Sequence, residues 1–119
     1  MSNIIEHEVL MSVVTVDKAG TKYSRSAPFD DCDGAACLKV ISTAGSITVT
    51  QQCSIDDETF YDPETAAGAA GAVEDTLTVT TGRYISFTPV IAPFIRFKVV
   101  EGNVAASAVT LELIKRIAV

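Results

Sequence analysis

The chain contains no tryptophan and a single histidine among its 119 residues. The missing tryptophan argues against an immunoglobulin-type domain, whose core packs a Trp against an inter-sheet disulfide; Cys37 and Cys53 are also too close in sequence for that pair. The histidine, His7, lies between Glu6 and Glu8. A catalytic triad needs a base that meets a nucleophile and an orienting acid. No local sequence brings His7 to Cys32 or to another nucleophile, so His7 is expected to be a solvated or interface residue. Cysteine is scarce and odd in number (Cys32, Cys37 and Cys53), which argues against a closed disulfide framework. Cys32 and Cys37 are close enough in sequence for a local bridge, but reduced thiols are expected. The segment Met1 to Glu8 has neither the basic start nor the apolar run of a secretory signal, and synthesis in a cytoplasm is the expectation. The three cysteines lack a fourth zinc ligand at a convincing spacing. No apolar run approaches the roughly 18 residues of a membrane span.

Positive charge is also in short supply. Nine Lys and Arg stand against fifteen Asp and Glu, a net charge of −6 with a pI of about 4.6. Nucleic acid and anionic membranes require a basic footprint, so neither is an expected partner. Gly68 and Gly71 lie among alanines with no following Lys-Ser/Thr, so there is no phosphate-binding loop.

What is present is alternation. Ile47, Val49, Gln51 and Cys53 fall on one face of a strand, and Thr48, Thr50, Gln52 and Ser54 on the other. Thr76 to Thr80 repeats the pattern. Threonine keeps strand propensity on a wet face without making it adhesive. Strands are read at 8–16, 21–26, 36–43, 47–55, 75–81, 83–88, 94–101 and 108–116. Both faces of the first are largely apolar, which implies a central strand or a partner's cover. Asp17-Lys18-Ala19-Gly20 and Ala44-Gly45-Ser46 read as hairpin turns. Pro28 is expected to end regular pairing. The Ala/Gly stretch 64–72 reads as a long loop. Eight short strands without a convincing helix predict an all-β, antiparallel sandwich of jelly-roll or Greek-key type. The whole chain, 1–119, is expected to form one domain, with 1–7 as a possible N-terminal arm and 117–119 as a short tail.

Few residues suggest chemistry. Asp31-x-Asp33-Gly34 resembles the start of a calcium loop, but Ser42 stands where the final Glu is needed. Asp56, Asp57 and Glu58 could add oxygens from elsewhere; a solvated turn is the simpler expectation. Phe60 and Tyr61 are expected to plug an end of the sandwich rather than stack on sugar rings. Arg96, between Ile95 and Phe97, should snorkel at the sheet surface or pair with an acid. No metal or other cofactor is expected, and no catalytic set can be assembled.

Three stretches together carry a resemblance: Ile47 to Asp56 ending in Ser-x-Asp, Phe60-Tyr61-Asp62-Pro63, and Thr81 to Pro89 running into Ala92-Pro93-Phe94-Ile95-Arg96-Phe97-Lys98-Val99. Across residues 36–116 the chain resembles small β-sandwich accessory proteins of tailed phages, of the capsid decoration (cement) type. The Ser-x-Asp and Arg-Phe pieces also resemble discoidin-like carbohydrate-binding sandwiches. The phage resemblance implies a non-enzymatic virion protein made in the host cytoplasm. It would be homo-oligomeric, often trimeric, and bound to a major capsid or other virion protein. Contacts would then come from Ile4, Ile5, Val9 and Met11, from Ile117 and Val119, from Asp30, Asp31 and Asp33, and from Phe60 and Tyr61. The carbohydrate alternative would use Phe60, Tyr61 and Arg83.

Overall fold

A computed structural model describes residues 3–29, 32–62, 76–77, 82–87 and 92–118. Its described residues contain nine strands and no helix: β1 (Asn3–Val16), β2 (Thr21–Tyr23), β3 (Ala27–Pro28), β4 (Cys32–Ser42), β5 (Ile47–Ser54), β6 (Thr76–Leu77), β7 (Arg83–Phe87), β8 (Phe94–Glu101) and β9 (Ser107–Ala118). They form two antiparallel sheets, the expected sandwich. One sheet has the order β1-β9-β4-β7; the other has β2-β8-β5-β6, with β3 also laid on β8. The loop expected at 64–72, and all but Thr76 and Leu77 of the strand expected at 75–81, lie outside the described residues.

Alternation builds the core. Leu38 and Val40 of β4 and Val109, Leu111 and Leu113 of β9 are buried against Ile47 and Val49 of β5 and Ile95, Phe97 and Val99 of β8. Each such side chain contributes about 1.5–3 kcal/mol by leaving water. Leu10, Met11, Val16, Ala27 and Phe29 close the flank.

The pairings differ from expectation in four places. First, β1 and β2 are not a hairpin. The turn after β1 is made as expected, Gly20 donating its N–H to the Asp17 carbonyl at 2.7 Å. The chain then crosses to the other sheet, pairing Thr21 with Val100. Second, β4 and β5 also belong to different sheets, so Ala44-Gly45-Ser46 is a corner. Gly45 has φ +74° there, the left-handed region that a side chain disfavours. Third, among the described residues β1 is an edge strand with β9 as its sheet neighbour, not the central strand that is one of its two sequence readings. Pro28 does not end pairing either: Ala27 and Pro28 lie opposite Ile95 and Phe94, at a position where a missing N–H is tolerated.

One buried carboxylate explains both crossings. Glu101, at the end of β8, is fully buried. Its oxygens accept N–H bonds from Ala19 at 2.9 Å, Ser46 at 3.0 Å and Val104 at 2.9 and 3.1 Å. It thereby ties the β1–β2, β4–β5 and β8–β9 connections together at one end of the sandwich. Burial alone would raise its pKa. The N–H donors of Ser46, Ala19, Val104 and Ala105 outweigh that and lower it to about 2.

Candidate functional site

The N-terminal half of β1 forms a regular ladder with β9, from Asn3 opposite Ala118 to Val9 opposite Glu112. Residues 3–7, expected as an arm, therefore belong to a sheet from Asn3 onward, and Ile117 lies in β9. Cross-strand partners share a face, so Ile5, His7 and Val9 stand with Arg116, Ile114 and Glu112 on the outer side. Two bulges follow, one between Val9 and Met11 and one between Met11 and Val14. Bulges re-aim side chains: Leu10 and Met11 both enter the core, while Val13 turns outward with φ 48°. A β-branched residue in the left-handed region is strained.

This edge exposes large apolar side chains: Ile5 at 66%, Val9 at 39% and Val13 at 69%. Its middle is closed by Arg25. The Arg25 backbone N–H bonds the Leu10 carbonyl at 3.1 Å, its Nε bonds the Val9 carbonyl at 2.9 Å, and an Nη reaches Glu8 at 2.8 Å. Beside the open half runs a shallow groove of about 240 Å³ lined by Ile5, Ala36, Cys37, Ser86, Ile114, Lys115 and Arg116. Lys115 is buried and donates to the Pro28 carbonyl at 2.8 Å.

The expected contact residues are thus divided. Ile5 and Val9 are exposed on one strand, and Ile4 is paired with Ile117. Met11 is buried in the chain's own core, because the bulge turns it inward, and it presents nothing to a partner. Asp30, Asp31 and Val119 lie outside the described residues, as does the side chain of Asp33. His7 is largely exposed, 3.8 Å from Glu112.

A second constellation lies on the outer face of the other sheet. Phe60 is half-buried and Tyr61 exposed; Tyr61 forms a bridge with Cys53, their N–H and carbonyl groups bonding at 2.9 and 3.0 Å. Arg96 neither snorkels freely nor pairs with an acid. Its guanidinium carbon lies 4.2 Å from the Tyr23 ring centre and 4.3 Å from that of Phe60. Its Nε donates to Gln52 Oε1 at 2.8 Å, and Gln52 Nε2 donates to Asp62 Oδ1 at 2.9 Å. Phe60 was legible in the sequence as an aromatic of interest. The partnership with Arg96 and Tyr23 was not, since the three lie on distant segments. Arg83, grouped with Phe60 and Tyr61 in the carbohydrate alternative, sits on β7 of the opposite sheet.

The acidic turn after β5 is self-contained. Asp56 Oδ1 accepts from Ser54 Oγ at 2.8 Å, the Glu58 N–H at 3.0 Å and the Thr59 N–H at 2.9 Å. The Thr59 and Glu58 N–H groups, then the Ser54 hydroxyl, lower its pKa to about 2. This is the expected solvated turn. Among the described residues, no three His, Cys, Asp or Glu side chains gather as metal ligands. Cys37 and Cys53 are free thiols. Burial raises the Cys53 pKa against a smaller lowering by Gln51, which keeps the unreactive thiol form at neutral pH.

No family model matches the sequence, and no curated protein matches it. Solved structures share the fold at low identity. The VP2 subviral particle of infectious bursal disease virus superposes with a TM-score of 0.59 at 14% identity, over 97% of this chain and 32% of that one. The chain thus spans about a third of the length of that VP2 chain. The SPBc2 prophage-derived protein YomS matches over 97% of this chain and 96% of its own, with a TM-score of 0.57 and 10% identity. A Bacillus endospore appendage protein matches with a TM-score of 0.50 at 8% identity, over 99% and 86% of the two chains.

Proposed function

We propose that this chain is a structural component of a virus particle: a non-enzymatic sandwich that self-associates and docks on a phage head in the manner of a decoration protein. The observation that carries this reading is the open half of β1. A long edge strand with exposed Ile5 and Val9 is a template for pairing, which monomeric proteins block along their edges. Among the described residues, Arg25 blocks its middle. The fold shared with a viral capsid protein and a prophage-derived protein supports the same reading. Ile4, Ile5, Val9 and Ile117 would form the contact, with Asp30, Asp31, Asp33, Phe60, Tyr61 and Val119 as further candidates. A charge of −6 favours solubility before assembly.

Light scattering coupled to size-exclusion chromatography, followed by co-sedimentation with empty phage heads, tests the reading. A trimer that sediments with heads is the expected result. A strict monomer that stays in the supernatant would overturn it.

A further inference from the structure

We infer that the outer face of the β2-β8-β5 sheet carries a carboxylate-binding site, built on Arg96 and flanked by Lys98, that takes an acidic side chain of a partner protein. This goes beyond the virion reading and stands without it.

Arg96 is held as a pre-set fork. Tyr23 and Phe60 cover the two faces of its guanidinium at 4.2 and 4.3 Å. Gln52 holds Nε at 2.8 Å and is itself held by Asp62 at 2.9 Å. Arginine has five N–H donors. The Nε donor is used, and among the described residues no acceptor bonds the terminal nitrogens. A guanidinium with fixed plane and fixed Nε loses little further freedom on meeting a carboxylate, which its fork matches with two parallel hydrogen bonds.

The surroundings agree in charge. Lys98 lies two residues along β8, hence on the same face, opposite Tyr23 on β2 and Thr50 on β5. No carboxylate lies within 4.0 Å of Arg96 or Lys98 among the described residues. Asp62 is near, yet its Oδ1 is engaged by Gln52. In a chain of net charge −6, this pair of cations on one strand face is complementary to an isolated acidic group. The negative net charge argues against nucleic acid. A sugar would need aromatic faces to stack on, and one face each of Tyr23 and Phe60 is spent on the guanidinium.

Titration of the full-length chain with short poly-L-glutamate tests the site, with oligogalacturonate as the sugar-acid counterpart. Poly-L-glutamate should bind, and added salt should weaken it. R96K keeps the charge but has no fork, and should reduce affinity about tenfold. T50E places a carboxylate opposite Lys98 and diagonal to Arg96. It should weaken binding as much while leaving the melting temperature unchanged, so the test does not depend on how R96K folds. The site is overturned if poly-L-glutamate fails to bind, or if T50E binds it as the wild type does. Tighter binding of oligogalacturonate would overturn the protein partner in favour of an acidic glycan.

Discussion

The Glu101 carboxylate accepts the Ser46 N–H at 3.0 Å, so that the end of β8 fixes the corner between β4 and β5. The ordinary pKa of this carboxyl is 4.5, and the folded value is about 2. The native state therefore prefers the ionised form. The stability it supplies is complete above pH 4.5 and drains away as pH falls through about 2. E101Q should melt earlier than the wild type at neutral pH and lose part of the acid dependence in that window. Melting curves across the acid range check this. Asp56, lowered from 3.8 to about 2, accounts for some of the dependence that remains, and D56N should reduce it further.

Gly45 stands against the same carboxylate. A Cβ there would come 2.6 Å from the Ala105 carbonyl oxygen and 2.9 Å from Glu101 Oε2, at φ +74°. G45A should cost about 1–3 kcal/mol from backbone strain alone, with the clash adding to it. The midpoint of urea unfolding should fall accordingly.

Val13 invites the opposite change. It is a β-branched residue at φ 48° with an exposed side chain. V13N suits the left-handed region better and removes little packing. It should raise stability by about 1 kcal/mol in the isolated chain, read from the same unfolding curves.

The open edge can be closed without touching the core. I5K and V9K put charge on the outer row of β1, a device that natural edges use against pairing. Each variant should lower the mass seen by light scattering and leave the melting temperature of the monomer within a few degrees. An F97A control is different: Phe97 is fully buried, and its loss should cost about 3–5 kcal/mol.

The strands were readable where one face is dry. β8 and β9, and β5 as far as Gln51, alternate between buried and half-exposed positions because each is a central strand facing the other sheet, and their register can be counted along the sequence. Which strands pair could not be counted. Asp17-Lys18-Ala19-Gly20 and Ala44-Gly45-Ser46 have hairpin chemistry, but Glu101 draws both connections across to the other sheet, and nothing in either turn encodes that distant carboxylate. The first strand reads as apolar on both faces, yet the sequence could not say whether neighbours within the fold or a partner would cover it. Met11 joins the core only because a bulge breaks the alternation. At Arg96 the cation was visible among apolar neighbours, while the two rings that grip it come from other parts of the chain.

The place of β9 has a consequence for biosynthesis. It is the last strand in the chain, yet it lies between β1 and β4 in its sheet. The first strand leaves the ribosome with no in-sheet neighbour to receive it and waits until the last has emerged. With about 100 residues between them, a typical rate of about 5–20 residues per second makes that delay about 5–20 s. Throughout it, the flank of β1 that β9 will cover has no strand of its own sheet to pair with.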